Sequence, residues 1–429
     1  MVATTAGIAG CADSSNNEEI DPGSDSNPDS DSDEDLGKNG FTEYEWKYRI
    51  PGDELTVSEG TLYGFEEYPT DSQREQKLRE ESDISDRVFS LNLQNGNRQW
   101  ARGGAIYGHE GNRNLTIRDA IYYETVNDVN VWVSSIEFDG TKRWAGREGH
   151  DTFGGKLERV SKDTVYVTDY ERNLKAIDTV SGELSWHYPV GNVHFDTAAG
   201  SSPKTAYINK GESGDTSIAA LDTDRGSIQW LYEREENYVI DAVSDGVVYA
   251  TNNGSLAAIL DGEERWQVKP SPSSNTLEVH GIASGLVLMK DDSHLYALDA
   301  ANGEKQWKRE MTRDRRSPNP MYEGDLRIHE NRIYSGKRSG QEISVFKLDD
   351  GTEIWSTDIS RIESWEVVNR KQFGPEESVF VQTPRKLHRL GFDGEIVQTW
   401  SPGEPIHDFV VDEYVIISTD SGIYALEPQ

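Results

Sequence analysis

The segment Leu295–Trp307, LYALDAANGEKQW, limits what this chain can fold into more than any other, because most of the sequence is made of copies of it. Each copy has a short alternating apolar run, a turn rich in Asp, Asn and Gly, and a second run reaching Trp four residues after the glycine. The hairpin recurs at Val88–Trp100, Val133–Trp144, Leu174–Trp186, Ser217–Trp230, Ser255–Trp266 and Ile343–Trp355. An eighth copy, Leu387–Trp400, stretches the Gly-to-Trp spacing to six, and a half-copy, GIYALEPQ, ends the chain from Gly422. Trp46, in the alternating run Tyr44–Tyr48, lacks the first half of its own unit. The missing half is at the other end of the chain.

Successive tryptophans lie 36 to 54 residues apart, which brackets the ~40–50 residues of a four-stranded propeller blade. Further strand candidates precede each hairpin, such as Leu55–Val57 with Thr61–Phe65 and Val239–Val243 with Gly246–Ala250. Period-two alternation with turn residues at the breaks predicts an all-β chain with no helix of ten residues. Asn-Gly, Asp-Gly and Ser-Gly pairs accept the positive φ of a tight hairpin. The Trp offers a large ring to a neighbouring unit and an N–H to a backbone carbonyl. Such a unit cannot bury both faces alone, so units must stack into a ring. The expectation is one large β-propeller of eight or nine four-stranded blades over residues 41–429, closed by pairing Gly422–Leu426 with the Trp46 strand. The packing tryptophans are Trp46, Trp100, Trp144, Trp186, Trp230, Trp266, Trp307, Trp355 and Trp400.

At the YALD-x-x-x-G-x-x-x-W signature, clearest at Tyr296–Trp307, the chain resembles the pyrroloquinoline-quinone-type (PQQ-like) β-propeller repeat family. The resemblance covers about Phe41 to Gln429. It implies the ring fold, but not one function, since the family includes quinone-dependent dehydrogenases alongside non-enzymatic assembly lipoproteins. In character the chain is nearer the assembly factors.

Charge narrows the partners. Asp and Glu outnumber Lys and Arg by 77 to 43, a net charge of −34. Its negative field opposes nucleic acid and acidic membrane surfaces. Such acidity suits molar salt, where the Debye length falls to ~3 Å, and points to a halophilic archaeon. The single cysteine, Cys11, closes the run Ile8-Ala9-Gly10-Cys11, which is similar to a lipobox, and a polar acidic stretch follows it. The organisation expected is a truncated leader over residues 1–11, a disordered acidic linker over 12–40 and the propeller beyond. Asp31, Asp33 and Asp35 have calcium-loop spacing without the glycine, glutamate or helices of an EF-hand, so they read as part of that linker. No stretch approaches the ~20 apolar residues of a membrane span, which leaves a lipid on Cys11 as the only membrane attachment.

Candidate chemistry is sparse. Asp178, Asp222 and Asp299 occupy the turn of the repeat and read as hairpin caps. His187 and His194 are the nearest histidine pair, without helical metal-site spacing; no metal ligand and no catalytic residue is assigned. Gly103-Gly104 and Gly154-Gly155 lack the strand-to-helix setting of a phosphate loop. Two sequons, at Asn114 and Asn253, suit glycosylation of an exported protein. Two basic islands stand out on the acidic chain, one with Arg313, Arg315 and Arg316 and the other with Arg385, Lys386 and Arg389; together they form a candidate docking patch for an acidic partner or glycan on one rim.

The function expected is a non-catalytic binding or assembly scaffold. The chain would be a monomer, lipid-anchored at the extracellular face of the cytoplasmic membrane, with a protein or cell-envelope component as partner and no cofactor. The family resemblance also implies an alternative, a dehydrogenase using PQQ and calcium with a catalytic aspartate and often a disulfide between adjacent cysteines. One cysteine cannot form that pair.

Overall fold

The structure, a computed structural model, describes residues 41, 43–66, 87–103, 115–126, 131–145, 154–196, 203–210, 217–271, 276–291, 293–310, 324–337, 342–373 and 377–427. These form nine four-stranded antiparallel sheets. Eight are sequential: blade 1 spans 52–103, blade 2 115–145, blade 3 156–189, blade 4 193–232, blade 5 239–268, blade 6 278–310, blade 7 324–358 and blade 8 364–400. Blade 9 takes Ile406–Val411, Val415–Thr419 and Gly422–Leu426 from the end of the chain and Trp46–Tyr48 from its beginning. Trp46, Lys47 and Tyr48 pair with Ala425, Tyr424 and Ile423, and the Glu45 N–H donates to the Ala425 carbonyl at 2.9 Å. The ring therefore has nine blades, closed as the split repeat predicts. Among the described residues the only helical element is a 3-10 turn at Lys371–Phe373.

Blade 6 illustrates the unit: Glu278–Ala283, Leu286–Lys290, His294–Asp299 and Lys305–Glu310. Its third strand is buried along Leu295–Leu298, while the fourth alternates exposed and half-buried residues, as expected for an outer edge strand. The turn between them carries Gly303 at φ 74°, with the Gly303 N–H donating to the Asp299 carbonyl at 2.8 Å. A register shift between Ala297 and Leu298 completes a glycine bulge.

What joins most neighbouring blades is a contact between that glycine and the tryptophan of the blade before. A Cβ on Gly303 would lie 2.7 Å from Trp266 Cε3, and one on Gly96 would lie 2.4 Å from Trp46 Cε3. The same approach brings Gly140 onto Trp100, Gly182 onto Trp144, Gly226 onto Trp186, Gly351 onto Trp307 and Gly394 onto Trp355. Each indole then hydrogen-bonds the turn it covers: Trp46 Nε1 to the Leu93 carbonyl at 2.7 Å, Trp144 to Thr179 at 2.9 Å, and Trp266 to Ala300 at 3.0 Å. Trp100, Trp186, Trp307 and Trp355 donate likewise to Phe138, Thr223, Leu348 and Phe392. The acceptor residue is itself held, since the Ala300 N–H donates to Gly285 in the first turn of its own blade at 2.8 Å. Among the described residues the apolar side chains form nine clusters, and each takes its buried members from two neighbouring blades.

The stretched eighth copy has a geometric reason. Arg389 faces Gln398, the position that holds Trp elsewhere, and Leu387 faces Trp400. Displacement by two residues keeps Trp400 on the same face of its strand, where it stacks on Phe380 at 5.9 Å between centroids.

Gly303→Ala combines a left-handed backbone with a clash on Trp266 and is expected to cost ~2–4 kcal/mol. Gly285→Ala, also at positive φ but with nothing within 4 Å, should cost only the backbone part, ~1 kcal/mol. Denaturant unfolding of the two variants in constant molar salt measures the difference.

Candidate functional site

Close to the ring axis the first strands of successive blades meet, blade 5 against blade 6 and blade 9 against blade 1. Several of these strands are bulged, at Leu157/Arg159, Ile240/Ala242 and Val279/Gly281. A bulge takes backbone N–H groups out of the ladder, and buried donors need other partners. Polar side chains of the preceding blade supply them. Glu124 Oε1 accepts from the Leu157 N–H at 2.6 Å, Asn209 Oδ1 from Ile240 at 3.1 Å, and Asp408 Oδ2 from Leu55 at 2.7 Å. Asn209 also donates to the Tyr238 carbonyl at 2.8 Å, and Gln382 to the Ile406 carbonyl at 2.9 Å. Burial pushes the Asp408 carboxyl up to about 7, against the two backbone N–H bonds that favour its charge and with Asp53 and Glu54 reinforcing the rise.

Beside these stitches lies an open cavity of about 720 Å³, on the rim that carries the second-to-third-strand turns and the connections between blades. Lys156, Glu158, Asp169, His194, Asp241 and Glu278 give it its polar lining. Most of its carboxylates are matched: Glu158 with Lys156 at 3.2 Å, Asp169 with Lys175 at 3.0 Å and Glu278 with Lys290 at 3.2 Å. Burial opposes the charge on Asp169, but the Asn173 N–H and Lys175 hold its carboxyl below the ordinary range. Burial, with help from Lys156, pulls His194 below its usual value, which favours the neutral ring. Asp241 differs. Burial raises its carboxyl to about 6, opposed by Thr251 and the Val279 N–H and reinforced by Glu278, and its Oδ2 is buried with no hydrogen-bond partner. The lining can exchange hydrogen bonds with a polar ligand, while its ion pairs are largely committed to the fold.

The other sequence candidates scatter. Asp178, Asp222 and Asp299 cap turns: Asp178 Oδ1 accepts from Ser181 N at 2.7 Å, Asp222 Oδ1 from Asp224 N at 3.0 Å and Asp299 Oδ1 from Ala301 N at 2.9 Å. His187 is exposed on the outer strand of blade 3 while His194 lines the cavity, so the two do not form a pair. Asn253 is exposed in a tight turn at φ 45°, followed by Gly254 at φ 78°. Arg385 and Lys386 are exposed at the turn between the second and third strands of blade 8. Arg389 faces inward over the Phe373 ring at 5.1 Å, with Nε donating to Ser378 Oγ at 3.2 Å, so it does not join them in a surface patch. Cys11, Asn114, Arg313, Arg315 and Arg316 lie outside the described residues, as do Asp31, Asp33 and Asp35.

Sequence reading missed a second repeated aromatic. Tyr63, Tyr122, Tyr166, Tyr207 and Tyr249 stand on the second strands and meet the Trp of their own blade at 5.9–6.2 Å between centroids. The signal was present as TLYG, AIYY, TVYV, TAYI and VVYA.

A closed ring of four-stranded sheets latched by Gly–Trp contacts defines a β-propeller of PQQ-type repeats. The family profile described as outer membrane protein assembly factor BamB matches residues 129–269 and 214–370, more than half of the chain, and the chain belongs to this PQQ-like propeller family. Among individual proteins it is similar to the BamB of Moranella endobia, 22% identical over 46% of this chain and 57% of the relative. It is also similar to the serine/threonine-protein kinase AfsK of Streptomyces coelicolor, 26% identical over 39% of this chain and 20% of the kinase. The chain thus spans between a fifth and somewhat over half of these relatives' lengths. Among solved structures, Saccharomyces cerevisiae Sqt1 superposes with a TM-score of 0.51 at 10% identity, covering 91% of this chain and 100% of Sqt1, a likeness of fold alone.

Because Asp241 titrates higher when folded, its contribution to stability is full below about pH 4 and is lost as pH rises through about 6. Asp241→Asn should flatten that part of the pH profile and be ~1–2 kcal/mol more stable than the parent at pH 8, read from unfolding midpoints at pH 5 and pH 8.

Proposed function

We propose that this chain is a non-catalytic binding and assembly scaffold of a halophilic archaeon, tethered to the outer face of the cytoplasmic membrane by a lipid on Cys11. The observation that carries the scaffold reading is membership of a family described by an outer membrane assembly factor, in a ring whose interior is committed to its own blade contacts. That leaves the rims, with their turns and connections, to meet a protein or envelope partner.

The net charge of −34 supports the saline setting, and the lipobox-like Ile8–Cys11 followed by an acidic stretch supports the anchor. Among the described residues no helix is long and apolar enough to cross a membrane, so the anchoring reading rests on the cysteine. The cavity lining weighs against the quinone-and-calcium alternative. Glu158, Asp169 and Glu278 are paired with lysines, which leaves Asp241 as the one carboxylate of the lining without a lysine partner. That set is a poor donor group for calcium, which seeks six to eight charged or carbonyl oxygens.

Affinity purification from native membranes in molar salt tests the scaffold reading, with a reproducible stoichiometric partner as the expected result. Saturable quinone binding with calcium-dependent dye reduction on alcohols or sugars would overturn it. Mass spectrometry should find a glycerolipid adduct on Cys11, and Cys11→Ser should move the protein from the membrane to the soluble fraction.

A further inference from the structure

The seam between blades 7 and 8 gathers three side chains that no local motif connects. His329 ends the first strand of blade 7, Glu330 follows it in the turn, and Glu377 directly precedes the second strand of blade 8. One ligand atom from each lies within 4.8 Å of the others. His329 Nδ1 is 2.5 Å from Glu377 Oε1. The other oxygen of Glu377 accepts a hydrogen bond from the buried Tyr334 hydroxyl. Glu377 is 6% exposed and His329 39% exposed, and Glu330 is exposed. The cluster thus has a buried carboxylate at its back and an opening to solvent at its front.

We propose that His329, Glu330 and Glu377 form a seat for a divalent transition-metal ion of the zinc class, with solvent completing the coordination. Imidazole nitrogen with two carboxylate oxygens is a donor set that zinc accepts, at bonds of ~2.0–2.2 Å that place ligand atoms ~3.4 Å apart. The three atoms need to shift by roughly 1 Å to reach this spacing from their present positions. Charge favours the dication over a shared proton. A proton between His329 and Glu377 compensates only one carboxylate, whereas a dication compensates both. Tyr334 acts as a positioning residue: by taking one oxygen of Glu377 it turns the other toward the imidazole, the outer-shell arrangement that orients carboxylate ligands. Arg332 also bonds Tyr334, but its guanidinium stacks on Phe392 at 3.3 Å from the ring centroid, and so is anchored in the next blade. Because the ligands come from two blades, the ion would bridge the seam.

The test uses the full chain, stripped with chelator and dialysed against Zn²⁺ or Co²⁺ in molar salt. One ion per chain is expected by elemental analysis, with a visible Co²⁺ spectrum of low-coordinate type and a rise in the unfolding temperature. His329→Ala should weaken retention ~100-fold and Tyr334→Phe ~10-fold, while His187→Ala, on the outer strand of blade 3, should leave it unchanged. Glu330→Gln, in an exposed turn where folding is not at stake, should weaken retention ~10-fold. No retained ion, or retention unaltered in both Glu330→Gln and His329→Ala, overturns the proposal.

Discussion

The packing of a tryptophan face on the turn glycine of the next blade is the contact on which the ring depends. It combines three demands in one place. The turn needs positive φ, the approach leaves no room for a Cβ, and the indole N–H needs an acceptor, which the neighbouring turn supplies. No blade can meet these demands alone, so each one's outer strand is ordered by its neighbour. Repeat proteins draw their stability from such nearest-neighbour terms. In a closed ring every blade has two neighbours, and an open end, where a cap would otherwise be needed, does not arise.

The axial stitches do the opposite job. Where the Gly–Trp contact is repeated with almost the same atoms, the inner contacts vary from glutamate to asparagine, aspartate and glutamine. The requirement there is only that a displaced backbone N–H or carbonyl find a partner, and several side chains meet it. Burying carboxylates in this role moves Asp241 and Asp408 far from the ordinary carboxylate range. Their perturbation comes from the fold and needs no catalytic explanation.

Legibility follows sequence distance. The hairpins were readable because strand, turn and Trp fall within one local segment, and ring closure was readable because Trp46 lacks a partner that GIYALEPQ supplies. The blade count stayed open between eight and nine because the literal count of units gives nine whereas the propellers that the chain resembles commonly have eight; strand pairing gives nine, with Trp400 moved by two residues without changing face. The second-strand tyrosines were visible but overlooked, being less regular than Gly and Trp. The site was far less legible. Its cavity draws on residues from Val131 to Val279, and Glu377 meets His329 across 48 positions. Arg389 looked like a surface charge because sequence does not say that its strand turns it onto Phe373.

The order in which the ends meet has a consequence for synthesis. Trp46 belongs to the last sheet, but its hydrogen bond and its glycine are in blade 1, at Leu93 and Gly96. A chain emerging amino end first can therefore dock Trp46–Tyr48 once blade 1 is out, long before Gly422–Leu426 exists. The first strand then waits as a prepared edge, already fixed in position and direction. When the final segment arrives it adds to a template in place of searching for a free end across ~380 residues of loop, whose closure would be the slowest contact to form.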